Sequence, residues 1–198
     1  MRIACYGVRP NEIDFFEKLN IYHYDLSLYE ELLTHDNIVS AKDHDAVLLR
    51  GNCIADETNL AKMQEYGIRY VFTRTVGVNH IDLQAAADFG MTVARVPSYS
   101  PNAIAELSLT FAMMLLRNTA YTTIRTSFKD FRVDEQMFSR EIRNCTVGII
   151  GTGRIGLTEA VLFKGLGAKV IGYDIHQTEA AKKVLTFHSL EELLAKSD

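Results

Sequence analysis

Short apolar segments alternate with amphipathic segments over the first half of the chain. The apolar segments are rich in β-branched and aromatic residues, as strands are, whereas the intervening segments repeat apolar residues every three to four positions, as helices do. The predicted strands are RIACYGV (2–8), DAVLLRG (45–51), RYVFTRT (69–75) and MTVARVP (91–97), and the predicted helices are NEIDFFEKLN (11–20), ETNLAKMQEYG (57–67) and IDLQAAADFG (81–90). This alternation predicts βαβ units and a parallel sheet covered on both faces.

Capping residues support the predicted helix boundaries. Asp56 or Thr58 can accept a hydrogen bond from the free N–H groups at the start of the second helix. Gly67 and Gly90 stand where a helix stops before the next strand, a position that favours glycine because it readily adopts positive φ.

A different pattern begins at Pro101, which suits the first turn of a helix. The residues that follow, NAIAELSLTFAMMLLRNTA, predict a helix of roughly twenty residues with apolar groups on most faces. A helix this apolar is expected to be buried, either between two domains or against a second subunit. We therefore predict a boundary near Ser100, with one domain over residues 1–100, another over residues 101–198, and an irregular polar segment over residues 127–144.

The βαβ pattern resumes after this segment. The predicted elements are the strand TVGIIG (146–151), the helix RIGLTEAVLFKGLG (154–167), the strand KVIGYD (169–174), a short VLTF (184–187) and the helix SLEELLAKSD (189–198). A doubly wound dinucleotide-binding domain has about six strands. At most three are present, so we expect the second domain to be incomplete.

Composition excludes several classes of function. The chain is 47% hydrophobic and 23% charged with a net charge of −4, which indicates a soluble globular protein without a basic surface for nucleic acid. The longest apolar run, residues 107–116, is too short to span a membrane, and the N-terminus lacks the layout of a signal peptide, so a cytoplasmic location is expected. Cys5, Cys53 and Cys145 are far apart and flanked by apolar residues, which favours buried thiols over a disulfide or a metal site.

A glycine turn lies between the first strand and helix of the second domain. Gly151, Gly153 and Gly156 meet the G-x-G-x-x-G spacing, in which the first glycine allows a tight turn, the second lets a pyrophosphate approach, and the third lets the helix press against the strand. Phosphates at such a turn bind free N–H groups at the positive end of the helix. The alternative is a tight strand-to-helix turn without a ligand.

Asp174 strengthens the nucleotide interpretation. It ends the next strand about twenty residues later, where a carboxylate can accept hydrogen bonds from the hydroxyls of an adenosine ribose. A carboxylate there repels a 2′-phosphate, so NAD is expected over NADP. A methyltransferase can use a similar acid, and the motif alone leaves the reaction open.

Four stretches together resemble the D-isomer-specific 2-hydroxyacid dehydrogenase family, and the resemblance covers essentially the whole chain. They are TRTVGVNHID (73–82), VPSYSPNAIAE (96–106), VGIIGTGRIG (147–156) and VIGYD (170–174). The most similar branch contains D-lactate, (R)-2-hydroxyglutarate, D-2-hydroxyisocaproate and aryl-lactate dehydrogenases. The resemblance implies a flavodoxin-like substrate domain followed by a truncated Rossmann-type domain, NAD as cofactor, a small 2-oxo or 2-hydroxy acid as substrate, and a homodimer built on the NAD domain.

The resemblance also implies roles for individual residues. Backbone N–H groups of Val76 and Gly77 would hold the substrate carboxylate. Tyr99 would face the substrate or pack between domains. Arg154 and Ile155 would meet the cofactor pyrophosphate with their backbone, although Arg154 is also typical of a solvent-facing arginine at a helix start.

Arg50 ends a predicted strand, and the carboxyl ends of parallel strands line ligand crevices. An arginine there could pair with a second carboxylate of a substrate such as 2-oxoglutarate, or it could be a surface arginine. His80 falls in the loop assigned to the substrate carboxylate, and we do not expect it to be the catalytic acid.

The catalytic residues of the family are expected after residue 198. The resemblance places the arginine that binds the substrate, the glutamate and the proton-transferring histidine in that later region, so no catalytic residue is expected within these 198 residues. We expect the chain alone to be inactive and poorly stable, and the natural protein to exceed 22.3 kDa substantially. The alternative is a catalytically silent NAD-binding module or a truncated fragment of the same fold.

Overall fold

The computed structural model describes residues 1–198, which form two compact units, Met1–Tyr99 and Ser100–Asp198. Both are mixed α/β with parallel sheets, which confirms the predicted class of fold. Each unit is described by itself.

The first unit contains five strands and three helices. The strands are β1 (Arg2–Tyr6), β2 (Asp25–Tyr29), β3 (Ala46–Leu49), β4 (Tyr70–Thr73) and β5 (Thr92–Arg95), and the helices are α1 (Ile13–Leu19), α2 (Glu57–Glu65) and α3 (Leu83–Asp88). Short 3-10 turns cover residues 10–12 and 38–41. The strand order is β2-β1-β3-β4-β5, and every pair is parallel.

Alternate residues of β1 enter two different cores, as the period of a strand requires. Ala4 and Tyr6 belong to the larger core, which includes side chains of α2 and α3, whereas Ile3 and Cys5 pack on the opposite face with side chains of α1. Burial on both faces explains why the central strands are almost uninterrupted apolar runs.

β2 is the strand that the sequence pattern did not predict. It lies at one edge of the sheet, and all of its residues are partly or fully exposed. Half-burial removes the continuous apolar run on which the prediction of the other strands depended. The alternation in DLSLY was the signal available for this strand.

The caps of α2 and α3 agree with the sequence. The Asp56 carboxylate accepts a hydrogen bond from the Asn59 N–H at 3.1 Å, so Asp56 rather than Thr58 is the cap of α2. Gly67 and Gly90 follow α2 and α3 with φ of +79° and +68°.

The second unit contains five helices and three strands. The helices are α4 (Pro101–Leu116), α5 (Thr119–Ser127), α6 (Arg154–Gly165), α7 (Glu179–Lys182) and α8 (Leu190–Lys196), and the strands are β6 (Thr146–Ile150), β7 (Lys169–Tyr173) and β8 (Thr186–Phe187). Short 3-10 turns cover residues 135–137 and 142–144. The strands form a parallel sheet in the order β6-β7-β8.

The predicted helix of about twenty residues after Pro101 is wrong at its C-terminal end. α4 has 16 residues, and Asn118 then takes a left-handed conformation with φ of +45° before α5 begins. The burial expected of this helix is also incomplete within the unit. Leu109 and Ala112 pack against the core beside α6, but Phe111 is 55% exposed and Leu115 is 79% exposed.

Ion pairs organise the polar segment that follows α5. Arg125 pairs with Asp130 at 2.8 Å and also with Asp134, while the Tyr121 hydroxyl donates to Asp134 at 2.5 Å. Hydrogen bonds from Arg132 and Arg125 hold the pKa of Asp130 well below its usual range. The segment has little regular structure, as the sequence predicted, yet its course is defined by these side chains.

Candidate functional site

The glycine turn follows β6 directly and opens α6. The Gly151 N–H donates to the Tyr173 carbonyl of β7 at 2.9 Å, and φ of Gly151 is +86°, a conformation that favours glycine. A Cβ on Gly156 would lie 1.9 Å from the Gly151 carbonyl oxygen. Only glycine therefore allows α6 to start this close to the turn.

The N-terminus of α6 has no side-chain cap, because its N-cap residue is Gly153. The N–H groups of Arg154, Ile155 and Gly156 have no acceptor in the chain, as is typical of the first turn of a helix. A Cβ on Gly153 would meet no atom within 4 Å. Open space beside a row of free donors at the positive end of a helix is suited to an anion.

Asp174 stands immediately after β7, beside the glycine turn. Its carboxylate accepts hydrogen bonds from the backbone N–H of His176 at 2.8 Å and from the backbone N–H of Thr152 at 2.6 Å. These bonds hold the pKa of Asp174 below its usual range, so the carboxylate carries its charge at neutral pH. The structure thus brings together all six residues predicted for the cofactor: Gly151, Gly153, Arg154, Ile155, Gly156 and Asp174.

The loop after β4 contains the predicted carboxylate-binding residues of the first unit. The Val76 carbonyl accepts from Arg95 at 2.7 Å, and the Gly77 carbonyl accepts from the Thr75 hydroxyl at 2.7 Å. The N–H groups of Val76 and Gly77 have no acceptor in the chain, and a Cβ on Gly77 would meet nothing within 4 Å. The loop therefore uses its carbonyls internally and leaves two successive donors available.

His80 has a structural contact in the same loop. Its Nε2 lies 3.0 Å from the hydroxyl oxygen of Thr73, which is buried at the end of β4. Burial lowers the pKa of His80, which favours the neutral imidazole.

Arg50 and Arg74 flank Gly7 at the carboxyl ends of β3 and β4. Arg74 donates to the Gly7 carbonyl at 2.8 Å, pairs with Glu12 at 3.3 Å and lies 5.3 Å from the ring centroid of Phe16. The sequence analysis did not single out Arg74, although its place after a strand resembles that of Arg50. Arg50 itself lies beside Gly7, and its side chain makes no ion pair or hydrogen bond.

Tyr99 is the last residue of the first unit. Its side chain is 65% exposed, and its hydroxyl makes no hydrogen bond within the chain. It is thus accessible, without a contact that assigns it a role.

Both units thus place exposed backbone donors at the carboxyl ends of parallel strands, the arrangement of α/β proteins that bind small anionic molecules there. A profile of the D-isomer specific 2-hydroxyacid dehydrogenase catalytic domain matches residues 3–195. The chain belongs to the D-isomer-specific 2-hydroxyacid dehydrogenase family, as the sequence motifs predicted.

Similar proteins agree with this assignment. Two of them are an aromatic 2-oxoacid reductase of Clostridium sporogenes, 38% identical over 200 residues, and a D-lactate dehydrogenase of Lactiplantibacillus pentosus, 39% identical over 203 residues. The match covers 100% of this chain and 60% of each relative. A solved structure of D-lactate dehydrogenase from Aquifex aeolicus, complexed with NAD and lactic acid, has a TM-score of 0.90 and 28% identity, covering 99% of this chain and 58% of that one.

No helix of the structure combines the length and the apolar character needed to cross a membrane. Cys5, Cys53 and Cys145 are free and buried, as predicted, and no three side chains of metal-binding type lie together.

Proposed function

We propose that this chain is part of an NAD-dependent oxidoreductase that interconverts a small 2-oxo acid and its (R)-2-hydroxy acid. The observation that carries the proposal is the row of free N–H groups beside the open Gly153, with the Asp174 carboxylate at the end of the neighbouring strand. Relatives named as reductases or dehydrogenases of 2-oxo and 2-hydroxy acids support the same class of reaction.

The strand orders support a functional label for each unit. The order β2-β1-β3-β4-β5 is that of flavodoxin-like sheets, and we assign residues 1–100 to the substrate domain. The parallel β6-α6-β7 unit with its glycine turn corresponds to the start of a Rossmann-type fold. We assign residues 101–198 to the NAD domain, of which they form a part.

The cofactor fits the residues present. The turn from Gly151 to Gly156 would hold the pyrophosphate through the N–H groups of Arg154 and Ile155, while Asp174 would accept from the adenosine ribose. A charged Asp174 favours NAD over NADP because a 2′-phosphate would meet like charge. When bound, the nicotinamide supplies or accepts the hydride at C2 of the substrate.

The substrate carboxylate fits the loop after β4. The N–H groups of Val76 and Gly77 can donate to it, and glycine leaves room for its approach. The exposed hydroxyl of Tyr99 is a further candidate donor. These residues would bind and orient the acid, whereas the resemblance assigns proton transfer to other residues.

We therefore propose that proton transfer depends on residues outside these 198, as the family resemblance implies, and that the chain alone binds NADH without turnover. A catalytically silent NAD-binding module of the same fold remains the alternative. Turnover of 2-oxo acids by a protein that contains the later region would support the dehydrogenase, whereas NADH binding without turnover there would favour the silent module.

Arg50 suggests a second, narrower candidate for the substrate. Its guanidinium has no partner in the chain and stands at the carboxyl end of β3, beside Gly7. A substrate with a distal carboxylate, such as 2-oxoglutarate, could pair with it in a bidentate manner. The names of the relatives given above refer instead to aromatic 2-oxo acids and lactate, so binding measurements with both kinds of acid are needed to distinguish the two substrate classes.

We also propose a homodimer that buries the outer face of α4. This face exposes five apolar side chains: Ile104, Leu107, Phe111, Met114 and Leu115. A contiguous apolar face of this kind is typical of an interface. The cytoplasmic location expected from the sequence stays a prediction.

A substitution in the glycine turn tests cofactor binding directly. Gly153→Ala adds a methyl group in open space, so the fold should be retained, but the methyl stands where the pyrophosphate would approach. NADH binding, measured by fluorescence of the reduced nicotinamide, should weaken by roughly tenfold or more. Gly165→Ala at the other end of α6, also in open space, is the matched control and should leave binding unchanged. Equal NADH affinity of the two variants would contradict the proposed site.

A further inference from the structure

Thr152 lies between the first two glycines of the turn and is buried, with 2% of its surface exposed. It donates twice to the same oxygen of Asp174: its N–H lies 2.6 Å from Oδ2 and its hydroxyl lies 3.0 Å from Oδ2. Neither the G-x-G-x-x-G pattern nor the resemblance assigned a role to this position. The hydroxyl bond joins two residues that are 22 positions apart in sequence.

The carboxylate of Asp174 is therefore fixed from two sides. Oδ2 receives both donors of Thr152, and Oδ1 receives the backbone N–H of His176 at 2.8 Å. A carboxylate has about four acceptor positions, so at least one remains for a ligand hydroxyl. Because the two N–H donors belong to the backbone, the Thr152 hydroxyl is the only side-chain donor that holds the orientation of Asp174.

Packing fixes the orientation of that hydroxyl. A Cβ built on Gly172 in β7 would lie 3.1 Å from the Thr152 methyl carbon, so the methyl rests closely against the strand. With the methyl held there, the hydroxyl points to the end of the strand, where Asp174 stands. A β-branched side chain has few rotamers, which makes this arrangement stable.

We propose that Thr152 is a positioning residue that sets cofactor preference, because its hydroxyl holds the Asp174 carboxylate where it accepts the adenosine ribose and opposes a 2′-phosphate. This inference rests on the proposed function and deepens it. Without the hydroxyl, Asp174 keeps its two backbone donors but gains rotational freedom, so it binds the ribose less well and can turn away from a phosphate.

Two substitutions separate the hydroxyl from the methyl. Thr152→Val keeps the shape and removes the donor, whereas Thr152→Ser keeps the donor and removes the methyl. Dissociation constants for NADH and NADPH are measured by fluorescence of the reduced nicotinamide. We expect Thr152→Val to bind NADH roughly five- to twentyfold more weakly, with NADPH affinity unchanged or higher, and Thr152→Ser to stay within about twofold of the unaltered chain.

A second measurement needs no cofactor. The pKa of Asp174 is followed by carbon NMR of its carboxyl group, and Thr152→Val should raise it because one donor to the charged form is lost, while Thr152→Ser should not. The charged group that acts on Asp174 is His176, which is present in all the variants compared.

The outcomes are distinguishable. The proposal is supported if Thr152→Val lowers the ratio of NADH affinity to NADPH affinity while Thr152→Ser leaves both affinities nearly unchanged. An unchanged ratio of NADH to NADPH affinity in Thr152→Val, or a larger loss in Thr152→Ser than in Thr152→Val, overturns it and assigns Thr152 to packing alone. If the unaltered chain binds no NADH, the proposed function fails and this inference fails with it.

Discussion

Arg50 and Arg74 both follow the carboxyl end of a parallel strand, but their contacts show that they have different roles. Arg74 is occupied by Glu12, the Gly7 carbonyl and the Phe16 ring, so it ties α1 to the end of β4. Arg50 has no such partner. An arginine whose charge is paired within the chain stabilises the fold, whereas an unpaired arginine at the carboxyl end of a strand is available to a ligand.

Substitution of Arg50 tests whether the substrate has a second carboxylate. If it has, Arg50→Ala should weaken 2-oxoglutarate binding by roughly tenfold or more and leave pyruvate binding unchanged, because only 2-oxoglutarate would lose an ion pair. Dissociation constants of the two acids for the NADH-loaded protein are the measurement. Arg69→Ala removes a positive charge just before the amino end of β4, away from the carboxyl ends of the strands, and serves as the control. An equal loss for both acids would discard the dicarboxylate.

The sequence predicted residues whose role depends on local pattern and missed those whose role depends on distant contacts. The three glycines and Asp174 follow a spacing that the backbone itself requires, and the structure brings them together. Thr152 and Arg74 act through partners far away in sequence, Asp174 and Gly7. The motif places Thr152 and Asp174 near each other but does not show that their side chains form a hydrogen bond, and no motif connects Arg74 with Gly7.

At the scale of elements, the sequence predicted strands with few polar interruptions, including the largely exposed edge strand β5, and missed the strand in which polar residues alternate with apolar ones. The strands buried on both faces were recognised, but the half-exposed edge strand β2 was not. The long helix was predicted through Asn118 because apolar residues continue to Leu116 and the left-handed break is a backbone event. Asparagine tolerates this conformation better than most residues, and that was the only local signal.

The C-terminal end of α5 supplies a stability prediction. The Lys129 N–H donates to the Thr126 carbonyl and the Asp130 N–H donates to the Arg125 carbonyl, while φ of Lys129 is +57°. This is the Schellman arrangement, in which glycine is preferred at the left-handed position. Lys129→Gly should therefore increase the free energy of unfolding by about 0.5–1 kcal/mol. Urea denaturation checks this, with Lys129→Ala as the control that keeps the strain; equal stability of the two variants would refute the explanation.

At the scale of the molecule, α4 exposes several apolar side chains, although the sequence predicted that this helix is buried. α4 contacts α6 with one face and exposes Phe111 and Leu115 on another. The apolar pattern was therefore a correct measure of hydrophobicity, but it could not say whether the same chain or another one covers the helix.

Oligomeric state tests the proposed use of this surface. Phe111→Asp places a charge in the middle of the exposed face, so the dimer should dissociate to a monomer because the charge would be buried without a partner. Sedimentation velocity measures the change. Ile175→Asp, at an exposed apolar position off α4, should remain dimeric. A monomeric unaltered protein, or equal dissociation of both variants, would argue against this interface.

Glycine is required at the three positions of the turn for different physical reasons. A pooled library of substitutions, sorted once for folding and once for ligand capture, would distinguish these reasons. At Gly151 the constraint is a positive φ, so asparagine and aspartate should be enriched among survivors of a folding screen. At Gly156 any side chain collides with the Gly151 carbonyl, so no substitution should survive either sort. At Gly153 many small residues should pass the folding sort and disappear only when the library is sorted for ligand capture. One motif would thus leave three separate signatures of tolerance.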